Sequence, residues 1–231
     1  MKVLIACEES QTVCKAFRAR GHEAYSCDVQ EPSGGHPEWH ILGDALEAVK
    51  GGEIVTMDGQ RHDVGEWDLV IAHPPCTYLT ASSAVCLFNP DHTVKDWARE
   101  RRGWEAKKFF LAMLDSGVDR VAVENPAPLR YFKLPEYSQI IEPYMFGDPW
   151  RKRTCLWLRG LPPLSATNVV EPEGLWVGST SSRREATRKV QSRYALASHR
   201  DSKTRAKTFP GIAAAMAEQW GGIVSKEEAG C

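Results

Sequence analysis

Lys2–Ala6 (KVLIA) is a short unbroken apolar run, the pattern of a strand covered on both faces. Polar CEES follows, and then Val13, Ala16 and Phe17 recur at helical spacing, with Ser10 as the expected cap and Gly21 as the stop. His22–Cys27 reads as a second strand ending at Asp28. Asp68–Ala72 is another buried strand, Trp97 to Leu114 a long helix, and Arg120–Val123 a strand ending at Glu124. Ile140–Met145 and Thr154–Leu158 read as the two strands of an antiparallel pair, and a last helix runs from about Gly211 to Trp220. Strands alternating with helices predict a single α/β domain whose sheet is mainly parallel, with one antiparallel hairpin.

In such sheets ligands bind beyond the carboxyl ends of the strands. The polar residues expected there are Cys7 and Glu8, Asp28, His73 to Cys76, and Glu124 to Pro126. AHPPCTYLT is the unusual exit among them. Pro74 and Pro75 have fixed φ and no N–H, so they end the strand and hold Cys76 just beyond its tip. On that stretch alone, a packed thiol and a nucleophile on a stiff platform both remain open.

Composition narrows the setting. The chain has 231 residues and a formal net charge of -1, with no apolar run near the roughly 20 residues needed to cross a bilayer. Seven cysteines without CxxC spacing predict neither a disulfide framework nor a metal site. A reducing, cytoplasmic setting follows from that cysteine usage, and the apolar start of the chain reads as a core strand in place of a signal peptide. The near-zero charge hides an asymmetry. From Arg183 to Lys207, nine Lys/Arg face two acids, a local +7 against -8 elsewhere. Arg183, Arg184, Arg188 and Lys189 open this stretch and are the expected nucleic-acid contacts, a solvated surface loop being the plainer reading.

PPC at one strand end and Glu124-Asn125-Pro126 at the next, in that order, resemble the DNA cytosine-5 methyltransferase family. The resemblance implies a Rossmann-like, class I S-adenosylmethionine-dependent methyltransferase fold and DNA as substrate. Its cofactor residues would be Cys7, Glu8 and Ser10 in the first loop, Asp28 and Val29 after the second strand, Asp44 and Ala45, and Pro74. The family's glycine pattern is missing from the first loop, where CEESQT stands. Gly147 to Arg153 (GDPWRKR) resembles the family's arginine motif, and Phe209-Pro210-Gly211 occupies the place of its last motif. About 159–206 falls where the family inserts its target-recognition domain, here short and basic.

The chemistry so implied makes Cys76 the nucleophile on cytosine C6. Glu124, with a raised pKa, would protonate N3, and Arg151 or Arg153 would hold the base carbonyl or a phosphate. Two alternatives stand beside it. The same chemistry could act on a free nucleotide or RNA, or with a modified donor; or the chain is a non-catalytic DNA-binding or decoy protein that keeps the fold.

Overall fold

The computed structural model describes residues 1–172, 175–176 and 207–222. Its centre is a seven-stranded sheet built from β1 (Lys2–Ala6), β2 (Glu23–Asp28), β3 (His40–Leu42), β6 (Leu69–Ala72), β7 (Val121–Pro126), β8 (Gln139–Ile141) and β10 (Thr154–Arg159). The spatial order is β3-β2-β1-β6-β7-β10-β8. From β3 across to β7 every pairing is parallel, and β10 runs antiparallel to both β7 and β8. Counted along the chain, this is the doubly wound order 3-2-1-4-5-6 with one antiparallel strand inserted before the last. The fold is the Rossmann-like α/β class that the sequence predicts.

Alternation along the strands explains the two cores. Leu4 and Ala6 of β1 face one side with Tyr25, Val70, Val123 and Trp157, while Val3 and Ile5 face the other with Leu69, Ala122 and Leu156. Helix α4 (Trp97–Leu114) covers the first side. Helices α1 (Thr12–Ala19) and α5 (Pro210–Met216) cover the second, packing against each other. Val3, Leu4 and Ile5 have no exposed surface, so each contributes on the order of 2 kcal/mol by burial.

The structure departs from the sequence reading in five places. The hairpin of β4 (Gly52–Val55) and β5 (Arg61–Gly65) and the short edge strand β3 were not predicted. The pairing of 139–141 with β10 is antiparallel as expected, but 143–145 is a single 3-10 turn that starts at Pro143. β10 also wedges itself between β8 and β7. Ser10 is not the cap of α1, for a reason that lies in the loop itself.

Candidate active site at the carboxyl rim of the sheet

The β1–α1 loop does without glycine. Cys7 and Gln11 adopt left-handed backbone, φ 59° and 58°, a conformation uncommon outside glycine. Glu8, 4% exposed, turns its carboxylate onto the start of α1, accepting from Val13 N at 2.6 Å and Cys14 N at 3.2 Å. That satisfies orphan donors which a capping side chain at Ser10 would otherwise take. Ser10 Oγ accepts only a long bond from Thr12 N, at 3.4 Å, and lies 3.1 Å from Thr12 Oγ1 and 3.5 Å from Glu8 Oε1. Gln11 is fully buried and fastens the crossover after β2: its Nε2 donates to His36 O and Ser26 Oγ, and its Oε1 accepts from His36 N. Gly34 is required there, since a Cβ would overlap Gln11.

Beside this loop the expected cofactor residues converge. Burial raises the Cys7 thiol far above its ordinary pKa, and the charges of Asp28 and Asp44 push it the same way, so both carboxylates act on one buried sulfur. Asp28 Oδ1 accepts from Gln30 N, and Asp44 Oδ1 accepts from Leu46 N to cap α2 (Ala45–Ala48), whose first residue, Ala45, is buried. Neither aspartate has a hydrogen bond to its second oxygen among the described residues. Val29, between β2 and the crossover, is 78% exposed. Two acceptor-only groups and an exposed apolar side chain could hold the hydroxyl and amino donors and the flat face of a nucleoside.

At the next strand end the backbone is locked. His73 N donates to Ala6 O at 2.9 Å, Pro74 is buried, and Cys76 is partly exposed. Asn125, 2% exposed, donates Nδ2 to Pro74 O at 2.9 Å. Beyond it the two exits are knitted again, by Ala81 N to Ala127 O and Leu129 N to Leu79 O. PPC and ENP thus form one rigid rim.

Glu124 is held in a way the sequence did not suggest. His73 Nδ1 lies 2.8 Å from Glu124 Oε2, and Thr208 Oγ1 donates weakly to the same oxygen at 3.4 Å. Burial alone would raise the Glu124 carboxyl. The hydrogen bond and charge of His73, with Lys152 and Thr208, outweigh it and hold the pKa at about 2. Burial alone would lower His73, but Glu124 and then Glu8 overcome it, so the imidazole is raised above its ordinary value against the opposing charge of Lys152. Burial also raises Glu8, which His73 and two backbone amides only partly counter. The expected raised pKa at Glu124 is therefore not found: its pairing with His73 lowers the carboxyl and raises the imidazole.

Of the arginine motif, Lys152 is the cation whose charge reaches Glu124 and His73. It lies two residues before β10 opens at Thr154, and Leu156 of that strand stands opposite Glu124 in the sheet. Lys152 Nζ also donates to Lys207 O at 3.2 Å. Arg151 stacks over the Tyr144 ring at 5.3 Å, and Arg153 is exposed. Asp148 Oδ2 accepts from Gly211 N, and Gly211 packs against the Phe146 carbonyl, so GDP and FPG dock on each other and deliver Thr208. Arg99 donates to Thr77 O at 2.8 Å, with its guanidinium over Tyr78, and so braces the loop after Cys76. Arg183, Arg184, Arg188 and Lys189 lie outside the described residues.

His73, Lys152 and Thr208 escaped sequence reasoning. His73 reads as a turn residue before two prolines, and Lys152 is overshadowed by its arginine neighbours. Thr208 has no signal beyond preceding FPG. Among the described residues, no group of three or more His, Cys, Asp or Glu could hold a metal, and no helix is long and apolar enough to cross a membrane.

The strand order defines a Rossmann-like α/β architecture. No protein-family profile matches the chain, and no curated protein is similar to it. A solved structure from E. coli, proposed to be a DNA modification methyltransferase encoded within a prophage, aligns with 10% identity and a TM-score of 0.42. The alignment covers 77% of this chain, which spans 53% of that structure's length. Fold assignment thus rests on strand order.

Proposed function

We propose that the chain is a DNA methyltransferase that transfers a methyl group from S-adenosylmethionine to C5 of cytosine, through a covalent bond between Cys76 and C6. The observation that carries this reading is the joining of the Cys76 exit to the Glu124 exit by Asn125. A nucleophile and a carboxylate must reach one ring together, and a shared rigid rim allows it. When bound, S-adenosylmethionine supplies an electrophilic methyl, and Cys7, Asp28, Val29 and Asp44 are the residues to hold it.

Cytosine C5 is a poor nucleophile until the ring loses aromaticity. Addition of the Cys76 thiolate at C6 makes C5 enamine-like. Glu124 Oε1 has no hydrogen bond among the described residues, which leaves it to meet N3 or the exocyclic amine. Arg151 and Arg153 remain the candidates for the base carbonyl or a neighbouring phosphate, and the basic stretch from Arg183 for the DNA backbone. A duplex target must be flipped from the stack at a cost of a few kcal/mol.

The test is trapping on DNA that carries 5-fluorocytosine, in the presence of S-adenosylmethionine. The fluorine cannot leave as a proton does, so a protein–DNA adduct of defined mass should accumulate and vanish in Cys76→Ala. DNA binding without an adduct would favour the non-catalytic reading.

A further inference from the structure

We propose that His73 is the proton-holding partner of Glu124: it keeps that carboxylate ionised at rest and supplies, through it, the proton that N3 takes when Cys76 adds to C6. This rests on the cytosine-5 reading above and deepens it.

The placement is specific. The backbone of His73 is fixed by Ala6 O, at the point where β6 leaves the sheet. Its Nδ1 sits 2.8 Å from Glu124 Oε2, with side-chain exposures of 14% and 11%. Its Nε2 is buried and has no hydrogen-bond partner among the described residues. A buried, half-satisfied imidazole calls for an explanation beyond packing. The charged groups facing it come from three other elements: Glu124 of β7, Glu8 of the β1–α1 loop, and Lys152 just before β10. Two carboxylates against one ammonium favour the imidazolium.

The proton count then closes. The Cys76 sulfur–C6 bond forms, the C5=C6 pair shifts to C4–C5, and the C4=N3 pair moves to N3. His73 Nδ1 first passes its proton to Glu124 Oε2, and the neutral carboxyl so formed rotates and delivers that proton to N3. Glu124 ends as it began, and His73 ends neutral. The excess negative charge of the thiolate is cancelled by the imidazolium that is lost. Glu124 alone, ionised at neutral pH, has no proton to give; the histidine removes that difficulty.

His73→Asn separates this role from a structural one, because an Asn amide can still donate to Glu124 but cannot carry a titrating proton. Adduct formation on 5-fluorocytosine DNA would be followed against pH for wild type, His73→Asn and His73→Gln, with thermal stability measured alongside. Wild type should slow about tenfold per pH unit above the His73 titration point, and a folded His73→Asn should be about 100-fold slower with that limb gone. In the full chain without DNA, nitrogen-15 spectra of His73 should show an imidazolium at neutral pH, and in Glu124→Gln its titration should move to lower pH. A wild-type adduct with an unchanged limb in either folded variant, or a neutral His73 at pH 7, would overturn the proposal alone. Absence of any wild-type adduct would overturn it together with the cytosine-5 reading.

Discussion

The Asn125 side-chain amide donates to the carbonyl oxygen of Pro74 across 2.9 Å, and both residues are buried. The bond ties the exit of β7 to the exit of β6 one residue away from Glu124 and two away from Cys76. Asn125→Ala should cost about 1–3 kcal/mol, because it strands a buried carbonyl. It should also slow adduct formation by more than that loss of stability explains at temperatures where the variant is fully folded. Denaturant titration and trapping on one preparation measure both. Equal adduct rates would mean the rim is rigid without this bond.

The His73–Glu124 pair predicts a pH window for stability. The folded pKa of Glu124 is depressed from 4.5 to about 2, so its contribution is present above pH 4.5 and lost as pH falls toward 2. His73 is raised above 6.5, so its contribution is present below pH 6.5 and lost as pH rises through the folded value. Between those limits Glu124→Gln should cost about 3–5 kcal/mol, the usual penalty for halving a buried pair. The difference should shrink on both sides. A wild-type minus variant curve that stays flat across the range would contradict the pairing.

Gln11→Ala removes three hydrogen bonds from a fully buried position and leaves His36 N, His36 O and Ser26 unpartnered by that side chain. A loss of about 3 kcal/mol is expected. Limited proteolysis should then cut first near residues 33–36, the crossover that Gln11 fastens. Cleavage elsewhere, with 33–36 intact, would show that Ser33 N to Glu9 O and Lys207 to Ser33 suffice to hold it.

Gly211→Ala places a methyl against the Phe146 carbonyl and the Asp148 carboxylate. Neither can retreat easily, since one is backbone and the other bonds Gly211 N, so about 2 kcal/mol of destabilisation follows. Because the same segment carries Thr208, the His73 titration should shift as well. Asp148→Ala, which removes only the bond to Gly211 N, should cost about 1 kcal/mol.

S-adenosylmethionine at a hundredfold excess over its Kd should raise the melting temperature by about 5–10 °C. Asp28→Asn should reduce that shift while leaving the unliganded melting temperature close to wild type. A wild-type protein that shows no shift at saturating ligand would argue against methyl transfer altogether.

Much of the sheet was legible because buried parallel strands are written as short apolar runs. KVLIA and LVIA could hardly be anything else, and Trp97–Leu114 matches its helix residue for residue. The β4–β5 hairpin was harder, since RHDVG has one buried apolar residue and its Asp58-Gly59 turn is the main clue. The site was legible as far as type and position allowed. Which acid would be charged depends on a neighbour that is 51 residues away in sequence, so no local pattern announces the state of Glu124. Lys152 was hidden for another reason: which of three basic residues brings its charge to the site depends on how the lead-in to β10 meets β7, and that becomes readable only once the register is known.

The inserted strand β10 has a consequence for where chemistry can be encoded. Parallel strands present the residues that follow them to the rim, so Cys7, Asp28, His73 and Glu124 all come at or after a strand's last residues. β10 runs the opposite way, and it is its entry that meets the rim. The cation of the site therefore precedes its strand, and the lead-in to β10 reaches Glu124 with no loop of its own. Reversing one strand gives the rim access to a second stretch of chain, arriving from the opposite direction.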